Sequence, residues 1–179
     1  MKLIIGLGNP GKQYENTRHN VGFMILDRFR EIANFSDFKM NEKFNSYIAE
    51  KKDGSGEKIL LVKPMQFMNR SGQAVRAIMD FYKVPIENIV VIHDDLDINV
   101  GEYKISEDSS AAGHNGVQDI IDKISTQKFK RIRIGIEGAE KRKDRGEIPG
   151  DVFVLQKFTD EELLEVLKLL EEIIDELVL

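Results

Sequence analysis

The 179-residue chain contains no cysteine. Disulfide bonds, thiolate nucleophiles and cysteine-bound zinc are therefore excluded. No apolar run approaches the roughly 20 residues that a membrane span requires. The amino-terminal residues reach a glycine by position 6, too early for the apolar stretch of a secretory signal, so a cytoplasmic protein is expected. There is no internal repeat, low-complexity tract or long linker, and residues 1–179 are expected to form one domain. A G-x-S-x-G element is missing, and neither Ser71 nor Ser106 has the context of a nucleophile. Neither H-E-x-x-H nor H-x-x-x-H spacing occurs, so a metal site built from His19, His93, His114 and aspartates has no sequence pattern behind it.

What is present is an ordinary globular composition, 41% hydrophobic and 32% charged, with a net charge of −5. The charge is unevenly placed. Residues 160–179 hold eight acids and one lysine, a net of −7, which leaves +2 on residues 1–159. Basic residues cluster at Lys128, Lys130, Arg131 and Arg133, and again at Lys141, Arg142, Lys143 and Arg145. Such clusters serve as footprints for phosphates, although a solvated surface explains most charge runs.

Apolar patterning predicts strands at Lys2–Ile5, Tyr47–Glu50, Ile59–Lys63, Ile89–His93, Glu102–Ile105, Arg131–Ile136 and Val152–Leu155. The turn-forming KKDGSGEK joins the second and third as a hairpin. Helices are predicted at Val21–Ala33, Gly72–Tyr82, Asn115–Ile124 and Asp160–Leu177, the last with an apolar stripe at 163, 166, 167, 170, 173, 174 and 177. Strands alternating with helices imply an α/β fold, layered around a twisted, mixed sheet. In such folds ligands gather at the carboxyl ends of the strands.

Residues 6–11, GLGNPG, match the spacing of a dinucleotide-binding loop. That reading requires a helix directly after the glycines and a strand-end acid roughly 20 residues on. Asp27 and Glu31 have the spacing but lie in the amphipathic VGFMILDRFREIA, and KQYENTRHN separates the glycines from that helix. The cofactor reading, a nucleotide-dependent oxidoreductase, fails on context. Glycines that let the backbone pass close to another group explain the loop better.

Polar groups recur where strands end or helices begin: Asn9, His19-Asn20, Met68-Asn69, the HDDLD of residues 93–97, and Gly113-His114-Asn115-Gly116. Singly, Asn20, Asn69 and Asn115 read best as helix N-caps, Asn9-Pro10 as a turn, and the aspartates as a solvated loop. If the strands that carry them run parallel, they bring two His-Asn pairs, another Asn and an Asp cluster to one face of the sheet. His19 has the chemistry of a general base near neutral pH, Asp94 that of a carboxylate orienting an imidazole, and the asparagines that of peptide or oxyanion donors. Water activated by histidine is the simplest hydrolytic scheme. A noncatalytic RNA-binding module using the basic region at 128–145 is the remaining alternative.

The motifs GLGNPG-x-x-Y-x-x-T-R-H-N, K-P-x-x-F-M-N-x-S-G, H-D-D-L-D and G-H-N-G, in this order, closely resemble bacterial peptidyl-tRNA hydrolases. The resemblance runs on through R-I-R-I-G at 131–135 to FVL at 153–155. It implies a monomeric three-layer α/β/α hydrolase that needs no cofactor and cleaves the ester between a peptide and the terminal ribose of tRNA. His19 matches the catalytic histidine and Asp94 the aspartate that orients it. Asn9, Asn69 and Asn115 match residues that position peptide and water, Met68 a wall of the substrate channel, His114 a residue beside the cleft, and Tyr14 a position near the ester. Arg133 matches one member of a phosphate clamp on the tRNA, with Lys104 as a substitute for the other, because Ser106 stands where a lysine is common. Gln66 likewise stands where threonine is usual. An acceptor stem held through its phosphates suits the basic clusters.

Overall fold

A computed structural model describes residues 1–138 and 146–178. The basic residues Lys141, Arg142, Lys143 and Arg145 lie outside these. The described elements are β1 (Lys2–Gly6), α1 (Val21–Ile32), β2 (Lys39–Asn41), β3 (Ser46–Lys52), β4 (Lys58–Pro64), α2 (Ser71–Tyr82), β5 (Ile89–Asn99), β6 (Tyr103–Ser106), α3 (Asn115–Ile124), β7 (Lys130–Glu137), α4 (Gly150–Phe153) and α5 (Asp160–Val178). The strands form one mixed sheet in the order β2-β3-β4-β1-β5-β7-β6. The four inner strands β4, β1, β5 and β7 are parallel, and antiparallel strands occupy both flanks.

The inner strands read as continuous apolar runs because helices cover both sheet faces. Ile4, Leu61, Val90 and Ile92 join Ile25 and Phe29 of α1 and Leu170 and Ile173 of α5 in one core. Leu3, Ile5, Leu60 and Val91 point the other way, into a core with Val75 and Ile78 of α2 and Val117 and Ile120 of α3. The result is the expected α/β/α layering. The predicted stripe of the terminal helix is the face it buries, with Val166, Leu170, Ile173 and Leu177 all sealed from solvent.

Two expectations require correction. Val152–Leu155 is not a strand: Gly150–Phe153 forms a short helix, and the chain beyond it runs against the 16–19 loop through a single bridge from Thr17 to Lys157. An apolar run of four carries no period long enough to separate the two states. HDDLD, in turn, does not end its strand. β5 continues through Asn99 alongside β7, with a register shift between Asp95 and Asn99. β2, three residues long and half exposed, had no periodic signal.

The glycines of GLGNPG act through close approach. A Cβ on Gly6 would lie 2.3 Å from the carbonyl oxygen of Gly22, the second residue of α1. A Cβ on Gly22 would meet Leu7 N at 2.4 Å and Ile92 O at 2.5 Å, atoms that are hydrogen-bonded to each other. The two glycines let the start of α1 press directly onto the β1–β5 ladder, which sets where His19 can stand. The strand after α1 is the antiparallel edge strand β2, so no βαβ unit follows the glycine loop.

Candidate active site

The carboxyl ends of β1, β4 and β5 and the amino ends of α2 and α3 surround a cavity of about 500 Å³. Its lining includes Asn9, His19, Met68, Asn69, Asp94, His114 and Asn115. Seven of the eight residues expected for catalysis or substrate binding thus meet in one cleft. Tyr14 stands apart, outside the lining, in the short helical turn Lys12–Tyr14, with its ring edge-on to Phe67 at 6.3 Å between centroids. Phe67 itself, 55% exposed on the cleft rim, is the phenylalanine of K-P-x-x-F-M-N, but it drew no role from the sequence because an apolar ring before a helix carries no chemistry of its own.

At the base of the cleft Asp94 accepts two hydrogen bonds on one oxygen. His19 Nδ1 lies 2.8 Å from Asp94 Oδ1, and His114 Nε2 lies 2.9 Å from the same atom. The proton positions follow from the other contacts. His114 Nδ1 accepts from the backbone N–H groups of Gly116 and Val117, both at 3.2 Å, so its proton resides on Nε2 and is donated to Asp94. His114, not Asn115, is therefore the side-chain cap of α3. Burial opposes the charge on Asp94, but His19 and then His114 outweigh it and hold the carboxyl well below the usual range. Burial likewise pulls the His19 imidazole down, but the charge and hydrogen bond of Asp94 raise it above an ordinary histidine. With Nδ1–H committed to Asp94, the Nε2 of neutral His19 carries the free lone pair.

His93 is a third imidazole in this cluster. Its Nδ1 donates to the Asp94 carbonyl at 2.7 Å and its ring meets His114 edge-on at 4.7 Å. Burial foremost, then the neighbouring His114, push it well below the ordinary value, so it stays neutral. The ligand atoms of His19, Asp94 and His114 fall within 4.8 Å of one another, close enough to surround an ion. The proton assignment opposes that use. His114 would have to give up its only ring proton while Nδ1 still caps α3.

The asparagines divide by exposure. Asn9 is buried and over-determined: its N–H donates to Asn20 Oδ1 at 2.8 Å, its carbonyl accepts from Asn20 Nδ2 at 2.9 Å, and its own Oδ1 accepts from Met68 N–H at 2.8 Å. These bonds fix the amide so that Nδ2 is left as the donor for the cleft. Asn20 does not cap α1 with its side chain, contrary to expectation, because both its polar atoms are spent on Asn9. Asn69 and Asn115 are exposed on the cleft walls, and α2 likewise begins without a side-chain cap.

The charged residues expected to meet phosphate lie on the β6–β7 flank. Lys104 and Arg133 are directly opposed across the antiparallel pair, and Arg133 Nε donates to Asp95 at 2.8 Å. Ser106 faces Arg131, which is almost fully buried and ties down the preceding loop by donating to the carbonyls of Ser109 and Ser110 at 2.6 and 3.0 Å.

Residues 3–179 match the family described as peptidyl-tRNA hydrolase. The chain belongs to the peptidyl-tRNA hydrolase family. It is 44% identical over 175 residues to a peptidyl-tRNA hydrolase of Bacillus cereus, covering 98% of this chain and 90% of that one. A Mycoplasma mycoides relative of the same name is 47% identical over 163 residues, 91% of this chain and 83% of the other. Among solved structures, the peptidyl-tRNA hydrolase of Acinetobacter baumannii superposes with a TM-score of 0.86 at 32% identity, covering 99% of this chain and 86% of that one. A peptidyl-tRNA hydrolase complex with N-propanol gives 0.87 at 31% identity, with the same coverage. The family's fold is thus the one described above. Among the described residues no helix is long and apolar enough to cross a membrane.

Proposed function

We propose that this family member hydrolyses the ester joining a peptide to the terminal ribose of tRNA with water activated by His19. The observation that carries the reading is the buried Asp94 oxygen 2.8 Å from His19 Nδ1, which leaves Nε2 as the basic atom of a residue lining the cleft. Nε2 takes a proton from water as the oxygen adds to the ester carbonyl, and Asp94 stabilises the imidazolium formed. The fixed Nδ2 of Asn9 donates to the peptide or to the developing oxyanion, where a preoriented donor is most effective. Asn69 and Asn115 hold the peptide and the water, and Met68 walls the channel. His19 then returns its proton to the departing ribose oxygen.

Lys104 and Arg133 contact phosphates of the acceptor stem in this reading, and Tyr14 acts from the rim through Phe67. The enzyme works as a cytoplasmic monomer. Incubation with N-acetyl-aminoacyl-tRNA tests the scheme: wild type releases tRNA with or without EDTA, and His19→Ala does not. A wild type that releases nothing overturns it, and inhibition by EDTA brings back the metal alternative.

A further inference from the structure

Arg18, the neighbour of His19, is built into the molecule in a way the hydrolytic scheme does not use. Its guanidinium carbon lies over two rings, 4.5 Å from the Phe153 centroid and 4.9 Å from that of Phe158. Its Nη2 lies 2.8 Å from each carboxylate oxygen of Glu162, and its Nη1 donates to the Ile136 carbonyl at 3.0 Å. The side chain is only 7% exposed. A desolvated cation held over two aromatic rings and paired with a carboxylate is geometrically demanding, and lysine does not reproduce it.

What Arg18 joins is as telling as how. Phe153 and Phe158 flank a segment that runs antiparallel to residues 16–19, with Phe158 N–H donating to Asn16 O at 3.1 Å, Arg18 N–H to Gln156 O at 2.9 Å, and His19 N–H to Val154 O at 2.8 Å. Val154 and Leu155 of that segment line the cleft. Glu162 belongs to the first turn of α5, where it also accepts from Thr159 N–H at 2.8 Å while Thr159 Oγ1 accepts from Glu162 N–H at 3.2 Å, a reciprocal capping box. One guanidinium therefore ties together β7, the start of α5, the far wall of the cleft and the backbone of His19.

We propose that Arg18 is a positioning residue, a clamp that holds the His19 backbone and the Val154–Leu155 wall in a single register. The proposal rests on His19 being the base. If the 154–158 segment slid along residues 16–19, the bond from His19 N–H to Val154 would break, and base and wall would move relative to each other. Glu162 is the clamp's other jaw.

Steady-state kinetics of Arg18→Lys, Glu162→Gln and the double variant test this, each at a temperature well below its measured unfolding. Glutamine still serves a capping box, so E162Q keeps the start of α5 while it removes the charge and replaces one of the two oxygens that accept from Arg18 with an amide donor. Displacing a catalytic group by about an ångström costs up to about a hundredfold. The clamp predicts kcat down about tenfold in each single variant with KM within about twofold of wild type, and a double variant no slower than the worse single one. Wild-type kcat in folded R18K and E162Q overturns the clamp, as does a raised KM with unchanged kcat, which would mean substrate contact instead. Should R18K fail to fold, E162Q decides alone. His19→Ala in the same assay separates the two readings: an active H19A overturns the base assignment, whereas an inactive H19A beside a normal E162Q overturns only the clamp.

Discussion

His114 Nε2 sits 2.9 Å from Asp94 Oδ1, the oxygen that also receives His19. Because His114 Nδ1 is occupied by the first N–H groups of α3, the helix terminus dictates the tautomer. The family resemblance implies a place for His114 beside the cleft, on the substrate. The geometry gives it a second task, keeping Asp94 ionised and aimed. Replacing His114 by alanine removes one charge-assisted hydrogen bond, worth roughly 1.5–3 kcal/mol. The expected outcome is a fall in kcat of about tenfold, with partial rescue in His114→Gln, whose Nε2–H donates to Asp94. Equal activity of the alanine and glutamine variants would sink this role.

The pH dependence has a definite sign. His19 works as a base only when neutral, and its pKa is raised, so kcat/KM falls as the pH drops through a value above the usual 6.5 or so. Substituting Asp94→Asn removes the cause of the upward shift and leaves burial, which lowers the imidazole. The acid limb then moves to lower pH while the plateau drops, by up to about four orders of magnitude, the loss that the same change causes in a Ser-His-Asp triad. A pH-rate profile of both proteins reads the two effects separately. An acid limb that stays in place in D94N would mean that another group is titrating.

How much of this was legible beforehand depended on what each residue contacts. Continuous apolar runs at Leu3–Ile5 and Ile59–Val62 marked buried strands, and the stripe of α5 announced its buried face, because burial imposes periodicity on long helices. The residues that line the cleft stood out as polar groups piled up at strand and helix ends. Hidden from a linear reading were contacts between residues far apart in sequence. The Asn9–Asn20 exchange, the shared oxygen of Asp94 and the Arg18–Glu162 pair, 144 residues apart, leave no local signature. The capping box Thr159-x-x-Glu162 was the one signal in the sequence that could have drawn attention to Glu162.

Asn20 offers a test of how Asn9 is held. Asn20→Ala strands the buried N–H and carbonyl of Asn9, at a cost of roughly 1–3 kcal/mol in stability. It also frees the Asn9 loop, so activity is expected to fall about as far as in Asn9→Ala, although the Asn20 side chain is absent from the lining of the catalytic cleft. Thermal unfolding and kcat measured on both variants check this. Full activity in a destabilised N20A would show that Met68 alone orients Asn9.

Gly22→Ala probes the contact between α1 and the β1–β5 ladder. The added methyl group would fall between Leu7 N and Ile92 O, two backbone atoms that cannot rotate away. Overpacking of this kind costs roughly 1–3 kcal/mol and moves backbone. Because His19 lies three residues before Gly22, activity should fall further than the folded fraction does. Loss of stability with full specific activity of the folded protein would argue that α1 yields without shifting His19.

On the β6–β7 flank the expected effect is on binding. Arg133 is already paired with Asp95 at 2.8 Å, so Arg133→Gln removes a cation and also leaves the Asp95 carboxylate without its partner, close to where an anionic substrate would approach. KM for N-acetyl-aminoacyl-tRNA should rise and kcat change little. The slope of log KM against log salt should shrink by about one phosphate contact. The wild-type slope is the control: a KM that ignores salt between low and physiological ionic strength would remove the case for phosphate contacts by Lys104 and Arg133 together. Asp95→Asn sharpens the comparison, since it frees Arg133 from its internal partner. Its KM should fall below that of the wild type at low salt and converge with it as salt screens the phosphates.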